Sequence, residues 1–103
     1  MCEIIPADAL EVGNLYRNTM FGGALRDETY KVTGVRTVRS VETYKVIDAI
    51  NVRTGNRAAI NLLKDVTVAR LSQIERWQVD LLLDGMGDGQ ALHIVRHDGE
   101  LWL

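Results

Sequence analysis

Cysteine is all but missing from this chain: Cys2 is the only one in 103 residues. A single thiol cannot close an intramolecular disulfide and cannot assemble a thiolate metal site, and its scarcity fits a reducing compartment. Long apolar runs are missing too. The longest candidate, Val79 to Leu83, already contains Asp80, far short of the ~20 residues that cross a bilayer. Met1 to Ala9 holds Glu3 and Asp8 and no basic stretch before an apolar one, so no secretory signal is read there. The expectation is a cytoplasmic protein with no membrane contact. Gly-x-Ser-x-Gly, His-Glu-x-x-His and Walker-type signatures are absent as well, so no catalytic residue is nominated and the chain is expected not to be an enzyme.

What is there suits one folded domain over residues 1–103. Hydrophobic residues make up 47% and charged residues 25%, the balance of an ordinary globular protein, and a chain of this length can bury one core unaided. The net charge of -2 hides an uneven distribution. Residues 14–57 carry eight basic side chains against four acidic ones, whereas residues 71–103 carry two against six. Nine of the twelve cations are arginine, whose planar fork suits phosphate or carboxylate.

Residues 1–71 read mainly as strands. Pro6 opens one helical turn, and Val12-Gly13-Asn14 turns the chain into a first strand at Leu15 to Asn18. Glu28 to Arg39 alternates with the period of two of a half-buried strand, and Gly34 within it marks a bulge or bend. Val41 to Arg53 and Arg57 to Leu63 flank the turn signal Thr54-Gly55-Asn56, and Asp65 to Leu71 adds a short strand. Over 72–85 the pattern becomes helical. Ser72 and Glu75 are spaced as a capping box, Ile74, Trp77 and Leu81 mark an apolar face, with Trp77 anchoring it to the sheet, and Gly85 stops the helix in a left-handed cap. Residues 84–90 form a connection, and 91–103 form a hairpin about Asp98-Gly99, a strong two-residue turn signal. The predicted fold is α+β and β-rich: a small, strongly bent antiparallel sheet or SH3-like barrel of about five strands, one helix at about 73–84 and a C-terminal β-hairpin.

Few residues group into recognisable chemistry. His93 and His97 would lie roughly 13 Å apart along a strand, too far to share a metal, and no metal or cofactor site is expected. Asp84 to Gly89 ends a helix instead of opening one, so it does not fit a phosphate loop, and it lacks the carboxylates of a calcium loop. Tyr16-Arg17, Tyr30-Lys31 and Tyr44-Lys45 each set an aromatic beside a cation on opposite faces of a strand: either the tyrosines are core and the cations solvated, the favoured reading, or the tyrosines form a stacking surface for a nucleic acid.

The expectation that follows is a non-enzymatic interaction protein that docks on another macromolecule, a small inhibitor or accessory subunit of phage or mobile-element type. Three surfaces are nominated for a protein partner: the loop with Met20, Phe21 and Leu25, the acidic helix face with Glu75, Asp80 and Asp84, and the C-terminal edge strand with Trp102. That last strand could also pair two copies of the chain by strand addition. The alternative is a nucleic-acid-binding barrel that uses the basic strands 14–57, with Arg36, Arg39, Arg53 and Arg57 as a rim.

Overall fold

A computed structural model describes residues 2–20 and 23–103. Its larger part is a six-stranded antiparallel sheet of β1 (Glu3–Pro6), β2 (Leu15–Thr19), β3 (Leu25–Arg39), β4 (Thr43–Asn51), β5 (Arg57–Asn61) and β6 (Thr67–Arg70). The spatial order is β1-β6-β2-β3-β4-β5. Pro6 ends β1 on an outer strand, where a missing amide does least harm. The one-turn helix read after it is a 3-10 turn, Ala7–Ala9. That turn packs on β4, although β1 lies four places away in the order, so the chain crosses the face of the sheet.

The register explains the core. Ile5 stands opposite Val68, Tyr16 opposite Tyr30 and Val32 opposite Ala49. These residues share one face and form a buried cluster with Ala7, Leu10 and Ile47, each large side chain contributing roughly 1.5–3 kcal/mol. Tyr16 and Tyr30 stack at 5.6 Å between ring centroids. Burial, with Tyr30 adding to it, pushes the Tyr16 phenol up to about 12. Leu15 and Ala69 occupy alternate positions and so face the other way, yet both are fully buried. Lys31, opposite Leu15, donates to Asp98 (3.2 Å) in the C-terminal part, which therefore covers this second face.

That part consists of β7 (Gln73–Ile74), helix α1 (Arg76–Asp84), β8 (Val95–His97) and β9 (Glu100–Trp102). The strands form a small antiparallel sheet in the order β7-β9-β8. Asp98 and Gly99 join β8 to β9 with φ of 52° and 77°, the positive values that a two-residue hairpin of this type requires.

The sheet-rich α+β class and the antiparallel pairing are as expected, and the bulge falls at Gly34, where the β3–β4 register shifts after Val32. Other details differ. No ladder joins β1 to β5 among the described residues, so the sheet is open and not a closed barrel. β1 (Glu3–Pro6) precedes the strand expected to be first, at Leu15 to Asn18. The helix begins at Arg76 because Ser72 is drawn into pairing with the chain end: its amide donates to the Leu103 carbonyl (3.0 Å) and the Leu103 amide donates back (2.9 Å). The capping box forms three residues later, with the Glu75 amide donating to Gln78 Oε1 (2.8 Å). Gly85 ends the helix at φ -86°, not in the left-handed region. The terminal strand β9 has partners on both sides, so the C-terminal edge for strand addition does not exist there.

Candidate functional site

Helix α1 carries two apolar stripes, and the fold had to choose between them. At 100° per residue, Val79, Leu82 and Met86 lie on one side, while Trp77, Asp80, Leu81 and Asp84 cluster on the opposite one. Turning the second stripe inward would bury two carboxylates without partners, which costs more than exposing one indole and one leucine. The first stripe is accordingly the anchor, with Val79 buried and Leu82 and Met86 half-buried. Trp77 is left 59% exposed and Leu81 62% exposed. Trp77 is therefore no anchor to the sheet, a correction with consequences: an aromatic and a leucine at i, i+4 stand in water, flanked by Asp80 and Asp84. Asp80 makes only a long contact with Arg76 (3.9 Å), and Glu75 caps the helix from the same exposed end.

The other nominated residues scatter. Met20 is exposed at the end of the β2–β3 connection, where its amide donates to the Ala24 carbonyl (2.6 Å). Leu25 is half-buried opposite Thr19, and Phe21 lies outside the described residues. Trp102 is half-buried in the central strand of the small sheet, and its indole Nε1 is buried with no hydrogen-bond acceptor. His97 Nε2 is buried 3.2 Å from Asp98 Oδ2, out of hydrogen-bond alignment. His93 is exposed in the segment leading to β8. Among the described residues no group of three or more His, Cys, Asp or Glu could hold a metal ion, and no helix is long and apolar enough to cross a membrane.

The arginine rim divides in two. Arg39 stands opposite Thr43 at one end of the β3–β4 pair, whereas Arg53 and Arg57 flank the turn after Asn51 at the other. The length of β4 between them is about 27 Å at ~3.4 Å per residue. Asn51 shapes that turn, its Oδ1 accepting from the Arg53 and Thr54 amides (2.9 and 3.1 Å). Arg36 is bound to Asp48, with Nε donating to Oδ2 (2.7 Å), and this hydrogen bond raises the guanidinium's pKa. Arg17 is not solvated either. It is buried, and its Nε donates to the Arg26 carbonyl (2.6 Å).

The exposed Trp77–Leu81 stripe is the feature that sequence reasoning missed. Its signal was present: residues 77, 80, 81 and 84 alternate apolar and acidic on one helical face, a combination that cannot be buried. No protein-family model, curated protein sequence or solved structure matches the chain.

Proposed function

We propose that this protein is a docking module whose working surface is the exposed face of α1. The observation that carries the reading is the pair Trp77 and Leu81, held in water between Asp80 and Asp84. Tryptophan is the residue most enriched among binding hot spots, and a central aromatic anchor with a charged rim is the anatomy of a protein interface. The partner it fits is a protein with an apolar groove bordered by lysine or arginine. Such a groove is also what a nucleic-acid-binding protein offers to phosphates, so an inhibitory or accessory role of phage or mobile-element type in the cytoplasm fits this surface. The bent, SH3-like sheet serves as the scaffold. Nucleic-acid binding by the basic strands ranks second, because Arg39 stands at the opposite end of the β3–β4 pair from Arg53 and Arg57, and Arg36 between them is engaged by Asp48.

The test starts with the tagged chain used to purify partners from its host, with nuclease and a high-salt wash. A stoichiometric protein retained by the wild type and lost with Trp77→Ser, and weakened by Asp80→Lys with Asp84→Lys, is the expected result. Recovery of nucleic acid alone, or a partner indifferent to these substitutions, would sink the reading.

A further inference from the structure

Strand β3 is bonded on both sides only as far as Val32. β2 pairs with it between Leu25 and Lys31. The Val32 amide then donates to the Asn14 carbonyl (2.9 Å), and the Gly13 amide donates to the Val32 carbonyl (2.9 Å). Beyond that point β4 is its only ladder partner among the described residues. After the bulge at Gly34 the register runs unbroken through Val35, Arg36, Thr37, Val38 and Arg39, about 17 Å of strand at ~3.4 Å per residue. Val35, Arg36, Thr37 and Arg39 are exposed. Every second amide and carbonyl of such a run points away from β4, and water is their only alternative to another strand.

The side chains beside this edge narrow the choice of strand. Thr37 stands opposite Lys45 and Arg39 opposite Thr43, so Arg39 and Lys45 are diagonal neighbours on one face, roughly 7–8 Å apart. These strands put two cations and two hydroxyls on that face, and the one carboxylate lining it with Thr37, Thr43 and Lys45 is Asp8 of the 3-10 turn, which leaves it net positive. Asp48, on the other face, is already occupied by Arg36. A second copy adding through the same edge would bring its own arginines against these, which disfavours self-pairing. An acidic strand meets no such penalty. We propose that Val35–Arg39 of β3 receives an extended acidic segment of a partner protein by antiparallel strand addition. Its main chain completes the ladder, and its carboxylates meet Arg39 and Lys45.

This edge is independent of the α1 surface and is tested separately, on the full chain. The probe is a fluorescein-labelled nonapeptide alternating glutamate and valine, followed by anisotropy and by amide hydrogen exchange. Saturable binding is expected, with slowed exchange confined to outward amides of residues 35–39. Arg39→Gln with Lys45→Gln should weaken binding at least about fivefold, while Trp77→Ser leaves it unchanged. Circular dichroism checks that each variant folds, and N-methylating alternate amides of the probe, which leaves the protein intact, should abolish binding. The proposal fails if the probe does not saturate by millimolar concentration, if the lysine analogue binds as well, or if N-methylation has no effect. It fails equally if a DNA duplex of about 20 base pairs binds through Arg39 and Lys45 while the peptide does not, since those cations would then serve phosphates.

Discussion

The six-stranded sheet and the C-terminal part solve the same problem with unequal success. In the sheet, Leu15, Ile47, Val68 and Ala69 are 0% exposed, and two faces are covered. After Ser72, only Ile74 and Val79 are buried, at 9% and 6% exposure, while Trp77, Leu81 and Leu83 lie open. Among the described residues, the buried side-chain nitrogens without hydrogen-bond partners, His97 Nε2 and Trp102 Nε1, also belong to this part. An orphaned buried donor such as the Trp102 indole costs about 1–3 kcal/mol. The difference teaches that the deepest burial, and with it most of the stabilising apolar contact, lies in the first region, while the helix of the second leaves Trp77, Leu81 and Leu83 in water.

The comparison would break first in the core. Ile47→Ala should destabilise the protein by about 2–5 kcal/mol, the range for a buried aliphatic truncated to a cavity, as read from the midpoint of urea unfolding. A cost near that of an exposed leucine would mean that the sheet is not the stabilising region. The next effect is alkaline. The Tyr16 phenol has its pKa raised from 10.0 to about 12 in the folded state, by burial first and by Tyr30 second. The folded state therefore favours the protonated phenol. This contribution is fully present below pH 10 and disappears as pH rises from 10 to about 12. Between those limits the wild type should lose stability faster than Tyr16→Phe, and parallel curves for the two would refute it.

A third measurement probes the joint between the regions. Asp98 accepts from Lys31 Nζ at 3.2 Å, with the carboxylate largely exposed, and its φ of 52° is one that asparagine also tolerates. Asp98→Asn thus removes the charge and keeps the turn. The expected loss is at most about 1 kcal/mol and shrinks as salt is added. In hydrogen exchange, the amides of β8 and β9 should quicken more than those of β2 and β6. Equal acceleration would show that the two regions open as one unit.

Much of the sheet was legible because its signals are local. Tyr30 and Val32 on alternate positions mark β3, Gly34 marks the bulge, and Asp98-Gly99 marks the last hairpin. What escaped depended on partners distant in sequence. β1 is four residues long and is held by β6, more than sixty positions away, so nothing in Glu3–Pro6 alone announces it. Ser72 is as good a helix cap as Glu75 until Leu103 returns to pair with it. Trp77 and Leu81 fit helical periodicity equally well pointing in or out. Only their company with Asp80 and Asp84 decides the matter, and that is a question of burying charge, not of period. The alternation rule also failed at Arg17, because the second face of the sheet is covered and the guanidinium finds the Arg26 carbonyl there.

The smallest expected effect on stability is the most informative. Trp77→Ser removes the largest exposed side chain of α1 and touches neither the anchoring stripe nor the Glu75–Gln78 cap. Its change in unfolding free energy should stay within about 0.5 kcal/mol, as for surface positions outside special features. Serine is only slightly poorer than tryptophan in a helix, so secondary structure by circular dichroism should not change. Val79→Ala, two positions on, truncates a buried residue of the same helix and should cost more. If the order is reversed, Trp77 packs against the body after all, and the exposed stripe is not a surface kept free for a partner. If the order holds and the partner is still lost with Trp77→Ser, fold and function separate along the two faces of one helix.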